Sequence, residues 1–247
     1  MDLVSGVTVS LLTYKEAENL KVLIPDIIAN VEKLGVPYTI RIVDTEKALD
    51  DTPAVCAAWR EKGYDVAYAN QQEPGFGGAF KTAISLAQRE HFLILDSDGS
   101  HNPVYIPAMY QKFTAESCDV VIGSRYVKGG KTNDSKASIV MSRILNTVFR
   151  LFLGIKAKDI STDFRLYRTD QLKAVKLDNV NYDVLQEVLL KLKLNKPDLK
   201  IGEVPISFEK RKYGESKRRL LPFILSYIRS LFRLTWIRIT SGKRKNA

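Results

Sequence analysis

The sequence has little cysteine and little histidine, and these shortages exclude several kinds of site. Two cysteines and two histidines among 247 residues are too few for a disulfide framework or a cysteine-ligated zinc site. Cys56 and Cys118 do not form a CxxC pair. We therefore expect two small buried thiols in a reduced, cytosolic protein.

The sequence also lacks a long apolar run. No stretch of about 18 uncharged apolar residues is present, which argues against a simple membrane span. The nearest approach, in residues 220–239, is interrupted by Arg229, Arg233 and Arg238. The N-terminus has no basic residues before its first apolar run, which turns polar at Thr13. We interpret this run as a first strand and not as a signal peptide, so a cytoplasmic location is expected.

Positive charge is abundant but unevenly distributed. The formal net charge is +10, yet residues 210–247 contain twelve Lys or Arg and one acid, whereas residues 1–209 sum to −1. Proteins that bind nucleic acid more often carry positive charge over the folded body, so we predict no nucleic-acid partner. A near-neutral body with a cationic end is typical of attachment to an anionic surface.

The cationic end, residues 218–247, predicts a basic amphipathic helix and tail that lie in a membrane interface. At 3.6 residues per turn, a narrow polar arc stands opposite a broad apolar side, and Arg238 falls outside that arc. The arc holds Ser226, Arg229, Ser230 and Arg233; the apolar side holds Ile224, Leu225, Ile228, Leu231, Phe232, Thr235, Trp236 and Ile239. We expect peripheral association with anionic lipids on the cytosolic face; packing on the domain or on a membrane partner subunit is the alternative.

Short β-branched apolar runs alternate with segments of helical period as far as residue 123. Strands are predicted at residues 7–12, 38–43, 64–69, 91–95 and 119–123, and a helix follows each of the first four. This alternation predicts an α/β domain with a mainly parallel sheet flanked by helices. The pattern then becomes irregular, which indicates a second half specialised for something other than nucleotide binding.

Two aspartates directly follow the fourth predicted strand. In an extended chain the side chains of Asp96 and Asp98 point the same way, and open α/β sheets bind ligands at the carboxyl ends of their strands. Paired carboxylates suit Mg²⁺ or Mn²⁺, which can also hold a diphosphate. We predict a metal site at Asp96 and Asp98; His101, just beyond, either approaches the metal and phosphates or has a surface or supporting role.

A glycine-rich turn follows the third predicted strand. Gly75, Gly77 and Gly78 permit close approach of backbone N–H groups to a phosphate, and Lys81 lies at the start of the next helix. An ordinary strand-to-helix turn is an equally open interpretation.

Basic side chains gather in the second half of the chain, where they predict contacts with a phosphate. The guanidinium group of Arg presents paired N–H donors that match a phosphate. The candidates are Arg125, Arg143, Arg165, Arg168, Arg211 and Lys217. Each one alone is better explained as a solvated surface charge.

Six collinear segments resemble family 2 glycosyltransferases of the GT-A (Rossmann-like) fold, nearest the dolichol- or polyprenyl-phosphate mannose synthase group. The segments are LTYKEAENL (12–20), DSDGSHNP (96–103), VIGSRYVKGG (121–130), SRILN (142–146), DISTDFRLYR (159–168) and VPISFEKRKYGESK (204–217). The resemblance implies a GT-A domain over residues 1–217, with a nucleotide-sugar half (1–123) and an acceptor half (124–217).

The resemblance also implies an activity: metal-dependent, inverting transfer of a sugar from GDP-mannose or a UDP-hexose to a dolichyl or undecaprenyl phosphate, with Mg²⁺ or Mn²⁺ as cofactor. The expected donor site is Thr13, Tyr14, Glu16, Asp44, Gly75, Gly77, Gly78, Lys81, Asp96, Ser97 and Asp98. The expected acceptor-phosphate site is Ser124, Arg125, Ser142, Arg143, Arg165, Arg211 and Lys217. Asp96, Asp98, Arg125 and Arg211 are the expected catalytic residues.

The sequence departs from the family pattern at several positions. The family segment DDGSxDGT appears here as VDTEKALDDTP, which retains Asp44. Lys15 occupies a position where the family has Asn, and Asp163 occupies one where it has Gly. Two alternatives therefore stay open. One is transfer to a glycan hydroxyl, for which Asp159 or Asp163 would be the base, and the other is a catalytically silent nucleotide-sugar-binding partner subunit.

Overall fold

The computed structural model describes residues 3–211 and 220–245. Its first half alternates strands and helices, and all five predicted strands are present, with bounds at most three residues from those predicted. The elements are β1 (Val4–Leu12), α1 (Ala17–Val31), β2 (Tyr38–Asp44), α2 (Thr52–Glu61), β3 (Val66–Asn70), α3 (Gly75–Leu86), β4 (Arg89–Asp96), α4 (Ile106–Ala115) and β5 (Val120–Ser124).

The second half is more irregular, as predicted. Its elements are β6 (Lys131–Thr132), α5 (Lys136–Leu153), β7 (Arg165–Arg168), α6 (Thr169–Lys173), α7 (Val184–Asn195), β8 (Ile201–Pro205), β9 (Ser207–Phe208) and α8 (Leu220–Lys245). β6 and β9 form a small separate parallel pair. The long helices α5, α7 and α8 replace the regular strand–helix alternation of the first half.

The main sheet has seven strands in the order β3-β2-β1-β4-β7-β5-β8. Only β7 runs antiparallel to its neighbours β4 and β5, so the predicted mainly parallel sheet is confirmed. Its central strands are buried on both faces. In β4, Leu93 and Leu95 pack into one hydrophobic cluster while Phe92 and Ile94 pack into the other, which explains why the strand is continuously apolar.

The register of the central strands brings the candidate donor residues to one edge. Leu12 at the end of β1 pairs with Val43 of β2 on one side and with Asp96 of β4 on the other. The residues that follow these three strand ends are therefore neighbours in space, because parallel strands end at the same edge of the sheet.

The C-terminal helix α8 packs on the domain. Tyr227, Ser230 and Leu234 are buried, and Tyr227 and Leu234 belong to the second hydrophobic cluster. The predicted polar arc thus partly faces inward, while an outward arc exposes Ile228, Phe232, Trp236 and Ile239. The boundary between residues 217 and 218 stays a prediction. Among the residues that the structure describes, no helix combines the length and apolarity needed to cross a bilayer.

Candidate active site

The edge formed by the carboxyl ends of β1 and β2 holds Asp44, which is fully buried. Its carboxylate accepts hydrogen bonds from the Thr45 backbone N–H at 2.8 Å and from the Tyr68 hydroxyl at 3.2 Å. Burial, and secondarily the Asp44 charge, raises the pKa of Tyr68 to about 12, so the phenol stays protonated as a donor. Asp44 is therefore fixed where a ligand at this edge would meet it.

The other expected nucleoside contacts surround this position. The Thr13 backbone N–H donates to the Val43 carbonyl at 2.8 Å, which continues the β1–β2 ladder to the sheet edge. Tyr14, the next residue, is 46% exposed. Glu16 accepts a hydrogen bond from the Asn19 side chain at the start of α1. The structure thus brings Thr13, Tyr14 and Asp44 to one edge.

The segment that departs from the family pattern, VDTEKALDDTP, folds back to support the first helix. The Asp50 carboxylate accepts from the Ala17 backbone N–H at 2.9 Å and from the Thr52 backbone N–H at 3.1 Å. Burial alone would raise the pKa of Asp50, but these hydrogen bonds outweigh burial and lower it. Asp50 therefore accepts a hydrogen bond from the first backbone N–H group of α1, where the Glu16 side chain makes no capping hydrogen bond.

Asp96 ends β4, and Asp98 lies in the turn that follows. The Ser100 hydroxyl is 2.5 Å from one Asp98 oxygen and 3.5 Å from an Asp96 oxygen, so the two carboxylates converge on one side chain. The Ser100 backbone N–H also donates to Asp98 at 2.9 Å. Ser97 turns the other way, and its hydroxyl donates to the Leu12 carbonyl at 2.7 Å.

His101 lies behind Asp96 and is almost fully buried. Its Nδ1 accepts from the Asp96 backbone N–H at 3.1 Å, and its Nε2 is 3.1 Å from the Thr162 hydroxyl. Burial lowers the pKa of His101 despite the nearby carboxylates of Asp96 and Asp98. The imidazole is therefore neutral at pH 7, with its proton on Nε2 because Nδ1 acts as the acceptor.

Asp96, His101 and Asp163 form the group best suited to a divalent cation. His101 Nδ1 is 3.4 Å from an oxygen of Asp96 and 3.4 Å from an oxygen of Asp163, and one ligand atom from each residue lies within 4.8 Å of the others. The carboxylates of Asp96 and Asp163 suit Mg²⁺ or Mn²⁺. The Nδ1 atom of His101 would ligate a metal only after giving up the hydrogen bond that it accepts from the Asp96 backbone. The residues present therefore fit a metal through two carboxylates, and ligation by Asp98 stays a prediction.

Asp98 is instead paired with a cation from the second half. Arg211 Nε lies 2.9 Å from Asp98 Oδ2. The segment that carries Arg211 crosses the turn after β4, since the Glu209 backbone N–H donates to the Ser100 carbonyl at 3.0 Å. The Asp98–Arg211 pair thus joins the first half of the chain to the second.

The glycines at the start of α3 pack closely against backbone carbonyls. The Gly77 backbone N–H donates to the Val180 carbonyl at 2.9 Å. A Cβ at residue 77 would lie 2.1 Å from the Asn179 carbonyl oxygen, and one at residue 78 would lie 1.9 Å from the Glu73 carbonyl oxygen. These contacts support the interpretation as a strand-to-helix turn, and the phosphate contact stays a prediction. Lys81 pairs with Glu73.

Arg125 is held by a buried carboxylate in the acceptor half. Asp159 accepts from Arg125 Nε at 2.8 Å, from Nη2 at 2.9 Å and from the Arg125 backbone N–H at 3.1 Å. Burial opposes ionisation of Asp159, but its hydrogen bonds and ion pair with Arg125 prevail and lower its pKa. Arg125 is therefore rigidly oriented, and Asp159 has no capacity left to act as a base.

Ser142 and Arg143 lie beside this ion pair on α5. Asn146 donates to the Ser142 carbonyl at 2.9 Å and to the Ser161 hydroxyl at 3.0 Å, and its own carbonyl accepts from the Ile160 backbone at 2.7 Å. Asn146 thereby joins the SRILN and DISTDFRLYR segments. Arg143 is exposed, with its guanidinium carbon 5.3 Å from the Tyr126 ring centroid. Arg143 is available to an anion from solvent.

Two of the predicted acceptor contacts, Ser124 and Arg165, are fully buried. Arg165 is fully buried, and its guanidinium donates to the carbonyls of Leu185 and Ile160, each at 2.7 Å. It connects α7 to the loop before β7, which corrects its predicted role at a phosphate. Ser124 is also fully buried and accepts from the Tyr126 backbone. Lys217 lies outside the described residues.

Two aspartates of the DISTDFRLYR segment make contacts in the site that the sequence did not predict. Asp159 and Asp163 were predicted only as candidate bases, yet Asp159 orients Arg125 and Asp163 lies with Asp96 and His101. The sequence signal for Asp163 was its replacement of the family glycine. Asp163 lies beside Asp96 because β7 pairs with β4, and the hydrophobic pattern of the sequence does not show which strands are neighbours in the sheet.

Comparison with known proteins supports this architecture. The glycosyl transferase family 2 profile matches residues 8–175. Dolichol-phosphate mannosyltransferase from Pyrococcus furiosus is 31% identical over 92% of this chain and 63% of its own length. Undecaprenyl-phosphate mannosyltransferase from Micrococcus luteus is 33% identical over 58% of this chain and 60% of its own length. The chain thus spans less than two thirds of either relative.

Solved structures show the same fold at low identity. Glucosyl-3-phosphoglycerate synthase from Mycobacterium tuberculosis, in complex with Mn²⁺, UDP and phosphoglyceric acid, is 16% identical, with a TM-score of 0.71 over 94% of this chain and 78% of that chain. Its complex with Mn²⁺ and UDP-glucose gives a TM-score of 0.68, with 15% identity over 94% of this chain and 79% of that chain. The chain belongs to glycosyl transferase family 2 and has the GT-A fold.

Proposed function

We propose that this protein transfers one sugar, with inversion, from a nucleotide-diphosphate sugar to a polyprenyl phosphate at a membrane surface. The observation that carries the proposal is the Asp98–Arg211 ion pair, which joins the acidic strand edge to the basic acceptor half. The two curated relatives, named for mannosyl transfer with dolichol phosphate and undecaprenyl phosphate, support the acceptor class. GDP-mannose and UDP-hexoses are the donors to test first.

The donor half supplies fixed polar groups for the nucleotide. Asp44 and Thr13 are positioned by the ends of β2 and β1, and Tyr14 is exposed beside them. We assign the nucleoside to these three residues and the diphosphate to the end of β4. Preorganised groups of this kind need no rearrangement as charge develops on the leaving diphosphate.

Asp96 is the proposed central metal ligand, together with Asp163. A bound Mg²⁺ or Mn²⁺ would neutralise the donor diphosphate and make it a better leaving group. The structural relative binds Mn²⁺ with UDP, which supports a divalent cation. Asp98 then orients Arg211 and need not ligate the metal itself.

The acceptor half supplies positive charge instead of a base. A polyprenyl phosphate oxygen is already anionic, so the protein needs to bring two negative groups together and neutralise them. Arg143 is exposed, and it and Arg125 both lie near the Tyr126 ring, while Arg211 pairs with Asp98. We assign the acceptor phosphate to these arginines and Ser142.

Peripheral attachment through α8 would present this site to the lipid. The helix exposes an arc of Ile228, Phe232, Trp236 and Ile239 while burying its other face on the domain. Such an arc suits an interfacial helix, with Trp at the headgroup level and Arg229 at the edge. A membrane partner subunit is the competing occupant of the same arc.

Transfer assays with labelled GDP-mannose and UDP-glucose, Mn²⁺ or Mg²⁺, and dolichyl or undecaprenyl phosphate test the proposal. We expect a lipid-linked product that mild acid releases, as a sugar phosphodiester requires. Asp96→Asn should reduce turnover by about 100- to 1,000-fold and weaken Mn²⁺ binding measured by electron paramagnetic resonance without substrates. Absence of transfer to any polyprenyl phosphate, with tight donor binding by calorimetry, would favour the silent partner subunit.

Asp198→Asn is the matched control. Asp198 is exposed in the loop before β8, at the opposite edge of the sheet, so the same substitution there should leave transfer and Mn²⁺ binding within about twofold of wild type, as for most surface changes. Full activity of Asp96→Asn, or transfer that survives complete chelation, contradicts the metal assignment.

Asp163 supports a second candidate function, transfer to a glycan hydroxyl. A hydroxyl acceptor needs a base, and the Asp163 carboxylate lies beside Asp96 with little exposure. Acid-stable product and loss of activity in Asp163→Asn with unchanged Mn²⁺ binding would select this reaction over transfer to a phosphate.

A further inference from the structure

A cavity at the C-terminal end of α5 lies apart from the proposed active site. Its volume is about 380 Å³. The lining residues are Thr147, Arg150, Leu151, Gly154, Ile155 and Lys156. None of them belongs to the donor edge, the strand ends that carry Thr13, Asp44 and Asp96, or to the group formed by Arg125 and Asp159. The cavity therefore has no role in the transfer as proposed above.

Four cations surround the cavity. Arg150 and Lys156 line it, Lys193 donates to the Gly154 carbonyl, and Arg238 donates to the Phe152 carbonyl at 2.6 Å. None of the four is ion-paired with an acid among the residues that the structure describes. The cavity is consequently a site of uncompensated positive charge.

Two observations show how closely these cations crowd. Burial, followed by the charges of Arg238 and Lys156, lowers the pKa of Lys193. A Cβ at Gly154 would lie 2.7 Å from Arg238 Nη2. In addition, Arg150 Nε is buried and has no hydrogen-bond partner among the described residues. An anion in the cavity would relieve the repulsion and offer acceptors to the guanidinium group.

The cations stand beside an exposed apolar surface. On α5, Arg143, Thr147, Arg150 and Gly154 follow one another at helical spacing. The neighbouring stripe exposes Val140, Ile144 and Leu151, with Leu151 71% exposed. Leu151 itself lines the cavity, together with Arg150 and Lys156. Cationic and apolar groups at the end of α5 therefore share one surface.

We propose that this cavity binds the phosphate of an anionic phospholipid headgroup while the adjoining apolar side chains enter the acyl region. A free phosphate ion would satisfy the cations but would leave Val140, Ile144 and Leu151 in water, whereas a lipid at a bilayer surface satisfies both. The cavity adds a second contact to the membrane besides the α8 arc. The proposal concerns membrane binding alone, so it is tested without donor, acceptor or metal.

The experiment measures co-sedimentation with vesicles of phosphatidylcholine containing about a third phosphatidylglycerol. Arg150→Gln/Lys156→Gln should bind these vesicles about thirtyfold more weakly than wild type, at about fivefold for each cation near an anionic surface. Lys33→Gln/Lys62→Gln removes the same charge from exposed positions elsewhere and should change binding by less than about threefold. Equal weakening in both double variants would overturn the proposal.

A second arm distinguishes the lipid from free phosphate. Thermal unfolding in inorganic phosphate, at constant ionic strength, is compared between wild type and the cavity variant. Stabilisation of wild type alone, with vesicle binding unaffected by the cavity variant, would identify free phosphate as the ligand and overturn the lipid assignment. Leu151→Asn should weaken vesicle binding and leave the response to inorganic phosphate unchanged, and circular dichroism verifies that each variant is folded.

Discussion

The donor edge and the acceptor half hold their charged groups by different means. At the donor edge, the carboxylates of Asp44 and Asp98 are fixed by backbone N–H groups of the next residues in their own turns. In the acceptor half, Arg125 is fixed by Asp159, 34 residues away along the chain. Both donor carboxylates also have tertiary partners, Tyr68 for Asp44 and Arg211 for Asp98. The donor edge therefore combines local chain geometry with tertiary contacts, whereas the side chain of Arg125 depends on an ion pair formed by the tertiary fold.

A second ion-pair centre in the acceptor half has the same character. Glu187 of α7 is fully buried and lies 2.8 Å from Lys191 and 3.0 Å from Arg233 of α8. Its carboxylate also accepts from the backbone of Asp178 and Asn179. This centre holds the loop whose Asn179 and Val180 carbonyls pack on the glycine turn of α3. The difference between the halves predicts different responses to substitution.

The largest effect is expected for Asp159→Asn. The substitution leaves Arg125 buried without its partner, which should lower the free energy of unfolding by about 3–5 kcal/mol and reduce transfer as the guanidinium loses its orientation. Asp134→Asn is the matched control, since Asp134 is 3.8 Å from Arg125 and a third exposed; it should cost less than about 1 kcal/mol. Urea denaturation at pH 7 measures both, and comparable losses would contradict the difference between the halves.

The same pair predicts a pH dependence. The pKa of Asp159 is lowered in the folded protein from an ordinary value of 3.8, so its stabilising contribution is complete above pH 4 and is lost as the pH falls through the folded pKa. Wild-type stability should therefore decline below about pH 4. The stability of the Asp159→Asn variant should decline less steeply in this acid range. Parallel acid profiles for the two proteins would show that Asp159 does not carry this dependence.

A smaller loss of stability is expected for Leu234→Ala in α8. Leu234 is fully buried, so its truncation should cost about 2–5 kcal/mol. Phe232→Ala, two residues away on the exposed arc, should change stability by less than about 0.5 kcal/mol while weakening vesicle binding. Thermal and urea unfolding separate the two. Equal stability of both variants would mean that α8 is only an anchor and not a part of the folded core.

The convergence of the strand ends at the donor edge could be predicted from the sequence, because the alternation of strands and helices is a local pattern; the roles of the residues there stay predictions. Once the alternation of strands and helices was recognised, the ends of β1, β2 and β4 placed Thr13, Asp44 and Asp96 together. The sequence did not predict the burial of Arg165, because that depends on β7 inserting antiparallel between β4 and β5. Nor did it predict that Gly77 packs on Asn179, about 100 residues later.

The smallest effect concerns Lys15, the one residue of the donor edge whose backbone is strained. Lys15 has φ of 60°, a left-handed conformation that costs most residues about 1–2 kcal/mol. The family pattern has Asn at this position, and Asn tolerates that conformation because its side chain hydrogen-bonds locally. Lys15→Asn should therefore stabilise the protein by about 0.5–1 kcal/mol. Lys21→Asn, the same change within α1, should instead destabilise it by a few tenths of a kcal/mol. Urea denaturation of the pair tests the sign, and destabilisation by Lys15→Asn would show that contacts of the Lys15 side chain, and not its backbone, determine the stability of this turn.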